Sequence, residues 1–486
     1  MRKQTYYFGL GALALLVGAL AVTNQSLWID EGSAAVKAME PTVSAWWHNL
    51  RSEGNSNLQL IGELFYLWGW EKIFGSSEIA LRASNIPFFA GGVVALAWGI
   101  SQRRTLQTAV ALLALTNAFL WYYLSEARPY LVLFGFASVT AACLFQLLRE
   151  PEESLLSGIW FRLFCSGIIG LCATSLIAVP WALGAFGAVL YWSGPRAVIR
   201  CAFRFKGSSA LLLAAFAALG LYYLWTLQLG ARASDVGRTG WANIAFIFYE
   251  LIGLMGLGPG RLALRAHGTS EMSAFLPLLA AGAFTGFVLL LAGLIAVKDK
   301  LNRRSLLFFV IAVATPFAVV LAAGASAHMR LVGRHLTPLL PFLLALAAAG
   351  LAALVSNPQL WRKAFALAAL GLFLLSALEI RFAARHRRDD YRSAAVIARS
   401  ASDSGQKVWW LADVSTGLYY HVPLDSPRVT GAPDLQQLKA PPNLVILSKP
   451  DIYDSTGAVR AYLAQQGFRV TKTLPAFEIL TQPPNH

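Results

Sequence analysis

The sequence predicts a polytopic α-helical membrane protein with a small C-terminal α/β domain. Three observations support this. Of the 486 residues, 57% are hydrophobic and only 13% charged, and the mean hydropathy is +0.55, too apolar for an ordinary soluble domain. Apolar runs long enough to cross a bilayer recur from the N-terminus to about residue 382. Beyond that point short strand-like runs alternate with helix-like stretches. The chain therefore divides into a membrane domain, 1–382, and an extracytoplasmic α/β domain, 383–486.

Hydropathy windows give eleven candidate spans, near 5–23, 83–101, 106–124, 130–148, 159–177, 179–193, 208–228, 275–297, 305–325, 336–355 and 363–382. The run 179–193 is short, with Pro180 at its start, and reads as a tilted or half-buried helix. The first run lacks a small-residue cleavage pattern and precedes many other spans, which favours an uncleaved signal anchor.

The connections alternate in character. One set is short and basic: Arg2-Lys3, Arg103-Arg104, Arg149, the group Arg196 to Lys206, Lys298 to Arg304, and Arg362-Lys363. Such loops face the cytoplasm. They account for the net charge of +15 without nucleic acid. The other set, 24–82, 125–129, 229–274, 326–335 and everything after 382, is then external. The four cysteines have no metal-site spacing and read as apolar packing residues.

Two external loops exceed simple connections. Loop 24–82 contains Leu64-Phe65-Tyr66-Leu67-Trp68-Gly69-Trp70, an aromatic stretch expected to be an interfacial helix with its rings at headgroup level. Loop 229–274 contains Gly256-Leu257-Gly258-Pro259-Gly260-Arg261. This reads as a turn, since no strand precedes it and no Lys-Ser/Thr follows. In the C-terminal domain, strands are expected at Lys407–Leu411, Asn443–Ser448, Phe468–Leu474 and Phe477–Thr481, with helices near 391–402 and 455–466. Asp413, His421 and Asp451 are scattered there and read as surface or turn residues.

The chemistry-bearing residues gather at the external ends of the spans. Asp30-Glu31 follows the first span closely, and paired carboxylates are costly near hydrocarbon. Such a pair can act as a base or orient a hydroxyl, ligate a divalent cation, or cap the next helix. Arg128 stands on the stiff turn Ser125-Glu126-Ala127-Arg128-Pro129-Tyr130, where its fork can grip a phosphate, snorkel, or pair with Glu126. Arg330, Arg334 and His335 form a second basic cluster, and Arg261 and Arg265 a third. Three basic clusters and one acidic pair on one face suit an anionic, lipid-borne substrate.

In this order the motifs resemble the GT-C superfamily of lipid-dependent glycosyltransferases. The likeness is to bacterial relatives of protein O-mannosyltransferases and of the lipid A aminoarabinose transferase. It rests on Trp28-Ile29-Asp30-Glu31, on Phe74-Gly75-Ser76-Ser77-Glu78 with Leu81-Arg82, on the 125–130 turn, and on Gly333-Arg334-His335-Leu336-Thr337-Pro338-Leu339-Leu340-Pro341. It covers about residues 1–380.

The resemblance implies a polyprenyl-phosphate-linked sugar donor used on the external face of a bacterial cytoplasmic membrane. The acceptor is a lipid, glycan or protein hydroxyl. Asp30 matches the catalytic carboxylate. Glu31 would assist by hydrogen bonding or by holding a metal, so Glu31→Gln should be milder than Asp30→Asn unless a metal is bound. Arg128, Arg334, Tyr130 and His335 would bind the donor phosphate, with Arg261 and Arg265 as further anionic contacts. A divalent cation on Asp30 and Glu31 is left open, because some relatives use one and others do not. Two departures stand out: His335 where relatives carry Tyr, and Gly54-Asn55-Ser56-Asn57 in place of a Pro-rich approach to the aromatic helix. Lys37 is expected on a neighbouring surface, where Lys37→Arg should be neutral.

The rival readings are an oligosaccharide polymerase or ligase, which would share topology and substrates, and a polyprenyl-lipid transporter. A transporter should hold charged or broken-helix features near the bilayer midplane, whereas these spans are nearly free of charge.

Overall fold

The computed structural model describes residues 3–149, 158–230, 239–431 and 441–483. Arg2 and residues 231–238 of the 229–274 loop lie outside the described residues. Among the described residues, nine helices are long and apolar enough to cross a membrane, and ten if one bent pair counts as a span. The bent pair is Arg104–Leu115 with Ala118–Leu124, at 53°. Asn117 causes the break. Its Oδ1 accepts from Leu120 N at 3.2 Å, capping the second half, and its amide donates to Leu251 O at 3.1 Å. The remaining candidate, Gly158–Thr174, is a helix of 17 residues, short for a straight span. All four cysteines are buried and free.

Between the first span and the next, the chain folds into the helices Ile29–Ala38, Val43–Glu53 and Ile61–Phe74. The aromatic stretch is helical as expected, but its polar tips are used inside the protein. Trp68 Nε1 donates to Glu40 O and Trp70 Nε1 to Ala80 O, both at 2.8 Å, and Tyr66 OH donates to Ser84 O at 2.9 Å. Those bonds pin the helix to its own loop, where an anchoring belt would leave the tips for headgroups.

The C-terminal domain contains β1 (Val408–Leu411), β2 (Val429–Thr430), β3 (Leu444–Ser448), β4 (Arg469–Leu474) and β5 (Phe477–Thr481). Their order in the sheet is β2-β1-β3-β5-β4, with β1 parallel to β2 and β3, and β5 antiparallel to β3 and β4. The four long strands fall where the sequence puts them. The two-residue β2 carries too little pattern to be seen.

This domain is seated directly on the helix that bears Asp30. A Cβ on Gly32 would come within 2.1 Å of Thr416 Oγ1, so only glycine lets the helix Val414–Tyr419 approach that closely. Tyr420 OH accepts from Leu27 N at 2.8 Å and donates to Glu78 Oε1 at 3.0 Å. Arg392 pairs with Glu78 at 2.7 Å.

Candidate active site

Both acids of the motif lie in the first turn of the helix Ile29–Ala38, where the macrodipole favours them. They then part company. Glu31 is fully buried and its oxygens are taken. Arg82 Nε donates to Oε1 at 2.8 Å and Nη2 to Oε2 at 2.7 Å, Ala127 N donates to Oε1 at 3.0 Å, and Arg388 Nη1 reaches Oε2 at 3.2 Å. Burial pushes this carboxyl up, but Arg82, Arg388 and the Ala127 amide outweigh it and hold it below its ordinary value. Arg82 also donates to the carbonyls of Thr23, Gln25 and Ser26, fixing the chain as it leaves the first span.

Asp30 is partly exposed and lies among cations. Arg334 Nη1 donates to its Oδ2 at 3.3 Å. Arg128 Nη1 donates to its backbone carbonyl at 3.3 Å and to Asn57 Oδ1 at 3.2 Å. Burial raises the Asp30 carboxyl, but Arg128, Arg334, Lys449 and His335 together draw it below the ordinary range, so it is ionised at neutral pH. The Nε–H groups of Arg128 and Arg334 are both buried without a hydrogen-bond partner. Two orphaned cationic donors beside one carboxylate fit an anionic oxygen ligand.

The other sequence-predicted residues divide. Tyr130 is buried, its ring 5.7 Å from the Arg334 guanidinium. Arg261 donates to Glu250 Oε1 at 2.7 Å and Tyr123 OH at 2.8 Å, and lies 4.2 Å from the Tyr122 ring. Glu250 Oε2 in turn accepts from Gly333 N at 2.6 Å, linking Arg261 to the turn that carries Arg334. His335 uses Nδ1 to accept from Val332 N at 3.1 Å, closing its own turn. Arg265 does not join them, since it pairs with exposed Asp451 at 2.5 Å. Arg128 does not pair with the Glu126 carboxylate, which instead lies 3.4 Å from Arg388.

Sequence reasoning missed several neighbours. Arg388 belongs to none of the motifs above, yet it reaches Glu31, Glu126 and Tyr122 O. Lys449 is buried against Asp389, with its ammonium 5.7 Å from the Trp28 ring. Asp413 is half-buried and close enough to Asp30 for the two carboxylates to interact. Lys37 is not on a surface. It is fully buried, pairs with Glu53 at 2.5 Å and donates to Ser33 Oγ at 2.9 Å. Asn57 Nδ2 donates to the same Ser33 Oγ at 2.9 Å. The unusual 53–57 segment is thereby clamped to the Asp30 helix and presents Asn57 to Arg128.

No family model and no curated protein matches the chain. Among solved structures it is similar to ArnT from Cupriavidus metallidurans in the apo state, with TM-score 0.55 and 12% identity over 100% of both chains. It is likewise similar to that ArnT bound to undecaprenyl phosphate, with TM-score 0.54 and 12% identity over 99% of this chain and 100% of the other. ArnT is the lipid A aminoarabinose transferase, a GT-C enzyme. The likeness runs past residue 380, so the C-terminal domain belongs to the shared fold. At this identity it establishes architecture: the chain shares the membrane fold of that ArnT, with its C-terminal domain seated on the helix of Asp30.

Proposed function

We propose that the protein is a membrane glycosyltransferase that moves a sugar from a polyprenyl-phosphate donor to an acceptor hydroxyl. The observation that carries this reading is the convergence of Arg128 and Arg334 on Asp30, each with a buried, unpartnered Nε–H. A structural neighbour bound to undecaprenyl phosphate supports the class of donor. The basic loops argue that the site faces the periplasm or exterior.

In the proposed step the acceptor oxygen forms a bond to the anomeric carbon. The bond from that carbon to the phosphate oxygen breaks, and its electron pair leaves on the lipid phosphate. The acceptor proton passes to Asp30. Arg128 and Arg334 stand where the leaving phosphate gathers negative charge. A bound phosphate competes with Asp30 for Arg334. That weakens the attraction holding the carboxyl down, so Asp30 becomes more basic once the donor is seated. A cation shared by Asp30 and Glu31 would have to displace Arg82 and Arg388 from Glu31, so the two carboxylates do not fit a shared cation site.

The test is mass spectrometry of lipids and envelope glycans from cells with and without the gene. The reading predicts loss of one sugar from one glycan, lipid or protein, with accumulation of its polyprenyl-phosphate form. Identical profiles would overturn it.

A further inference from the structure

Trp28 has two cations from different domains near its ring. The Arg334 guanidinium and the Lys449 ammonium each lie 5.7 Å from its ring centroid. Its Nε1 is buried and has no hydrogen-bond partner. Lys449 directly follows β3 and Asp413 lies two residues beyond β1. These strands are parallel neighbours, so both residues emerge at the same edge of the sheet. Ligands in open α/β sheets gather beyond the carboxyl ends of such strands. Lys449 also has φ +41°, a left-handed conformation that is strained for a non-glycine residue and persists where its geometry is needed. Asp413 Oδ2 accepts from Thr416 N at 2.7 Å and Thr416 Oγ1 at 2.6 Å, while Oδ1 accepts no hydrogen bond among the described residues.

We propose that Trp28, Asp413 and Lys449 form a subsite for a neutral, hydroxyl-rich group, the sugar or polyol that bears the accepting hydroxyl. The carboxylate accepts from hydroxyls, the ammonium and the indole N–H donate to them, and the indole face packs against C–H groups. Charge selects the class. Lys449 is paired with Asp389 and Asp413 is a further carboxyl on this wall, so the wall offers hydroxyl partners in place of a free cation for an anionic acceptor. The phosphate-binding forks come from the membrane domain, on Arg128 and Arg334. Assignment of the subsite to the acceptor rests on the function proposed above.

The test uses the full-length protein in lipid nanodiscs. Saturation-transfer NMR reads contact with methyl β-glucoside and with glycerol 3-phosphate, and native mass spectrometry reads retention of undecaprenyl phosphate. The wild type is expected to contact the glucoside and not the glycerol phosphate. Asp413→Asn keeps an oxygen for Thr416 and is expected to weaken glucoside binding roughly tenfold or more, the loss of a hydrogen bond to a charged group. Trp28→Phe keeps a ring, loses the N–H and is expected to weaken glucoside binding less. Undecaprenyl phosphate binding should be unchanged by Asp413→Asn. Unaltered glucoside contact in Asp413→Asn, wild-type preference for glycerol phosphate, absence of glucoside contact, or parallel loss of both ligands in that variant overturns the subsite. A wild type that binds glucoside but not undecaprenyl phosphate overturns the donor reading, and with it the assignment to an acceptor.

Discussion

Arg82 and Glu31 meet fork to fork, at 2.8 and 2.7 Å, with both side chains fully buried. The residue beside the proposed base is thus a structural anchor that joins the first span, the 125–128 turn and Arg388. Glu31→Gln would leave the buried Arg82 guanidinium without its counter-ion, a defect that costs about 3–5 kcal/mol when a buried pair is broken. Glu31→Gln is therefore expected to act first on folding, whatever its part in transfer. We predict sharply reduced yield and melting temperature for this variant in detergent, and an unchanged melting curve would refute the anchoring role.

Arg128 and Arg334 should not tolerate lysine. A lysine keeps the charge but loses the planar fork. Each of Arg128→Lys and Arg334→Lys is expected to lower transfer roughly tenfold or more. Exposed Arg330 is the matched control, and Arg330→Lys should behave as wild type. Lys37 cannot serve as that control, being buried against Glu53. Normal turnover in either of the two arginine variants would remove that residue from the donor site.

Glu63 is buried with Oε2 unpartnered, and burial, only partly offset by Arg128, raises its carboxyl from 4.5 to about 7. The fold favours the protonated form, so this stability is complete at low pH and is lost as pH rises through about 7. Glu63→Gln mimics the protonated form at every pH. Its melting temperature should match wild type at acid pH and exceed it in mild alkali, by up to about 3 kcal/mol of stability. An equal difference at both ends would show that Glu63 does not titrate there.

Topology is open to labelling. Cysteines placed at exposed Ser52 and Ser455 should react with an impermeant thiol reagent in intact spheroplasts, and cysteines at Lys206 and Arg303 should not. The inverse pattern would put Asp30 on the cytoplasmic side.

The spans and the four longer strands were legible because hydrophobic length and β-branched runs are local properties. The site was legible only in part. Asp30, Arg128 and Arg334 could be picked out by residue type and position, and the structure brings them together. The pairings that support them could not. Glu31 finds Arg82 and Arg388 across 51 and 357 residues, and nothing near either arginine announces its partner. Lys37 looked exposed because lysine usually is, and only the return of Glu53 buries it. Asp413 looked scattered because the parallel pairing of β1 with β3, not sequence proximity, sets it beside Lys449.

The central claim is that Asp30 receives the acceptor proton during transfer from a polyprenyl-phosphate sugar. The most direct measurement is single-turnover transfer by Asp30→Asn in nanodiscs loaded with the donor identified by mass spectrometry, with donor binding measured in parallel. A base of this kind contributes roughly a hundredfold or more. The account predicts a loss of at least that size with undecaprenyl phosphate binding retained. Transfer by Asp30→Asn above about a tenth of wild type would contradict it.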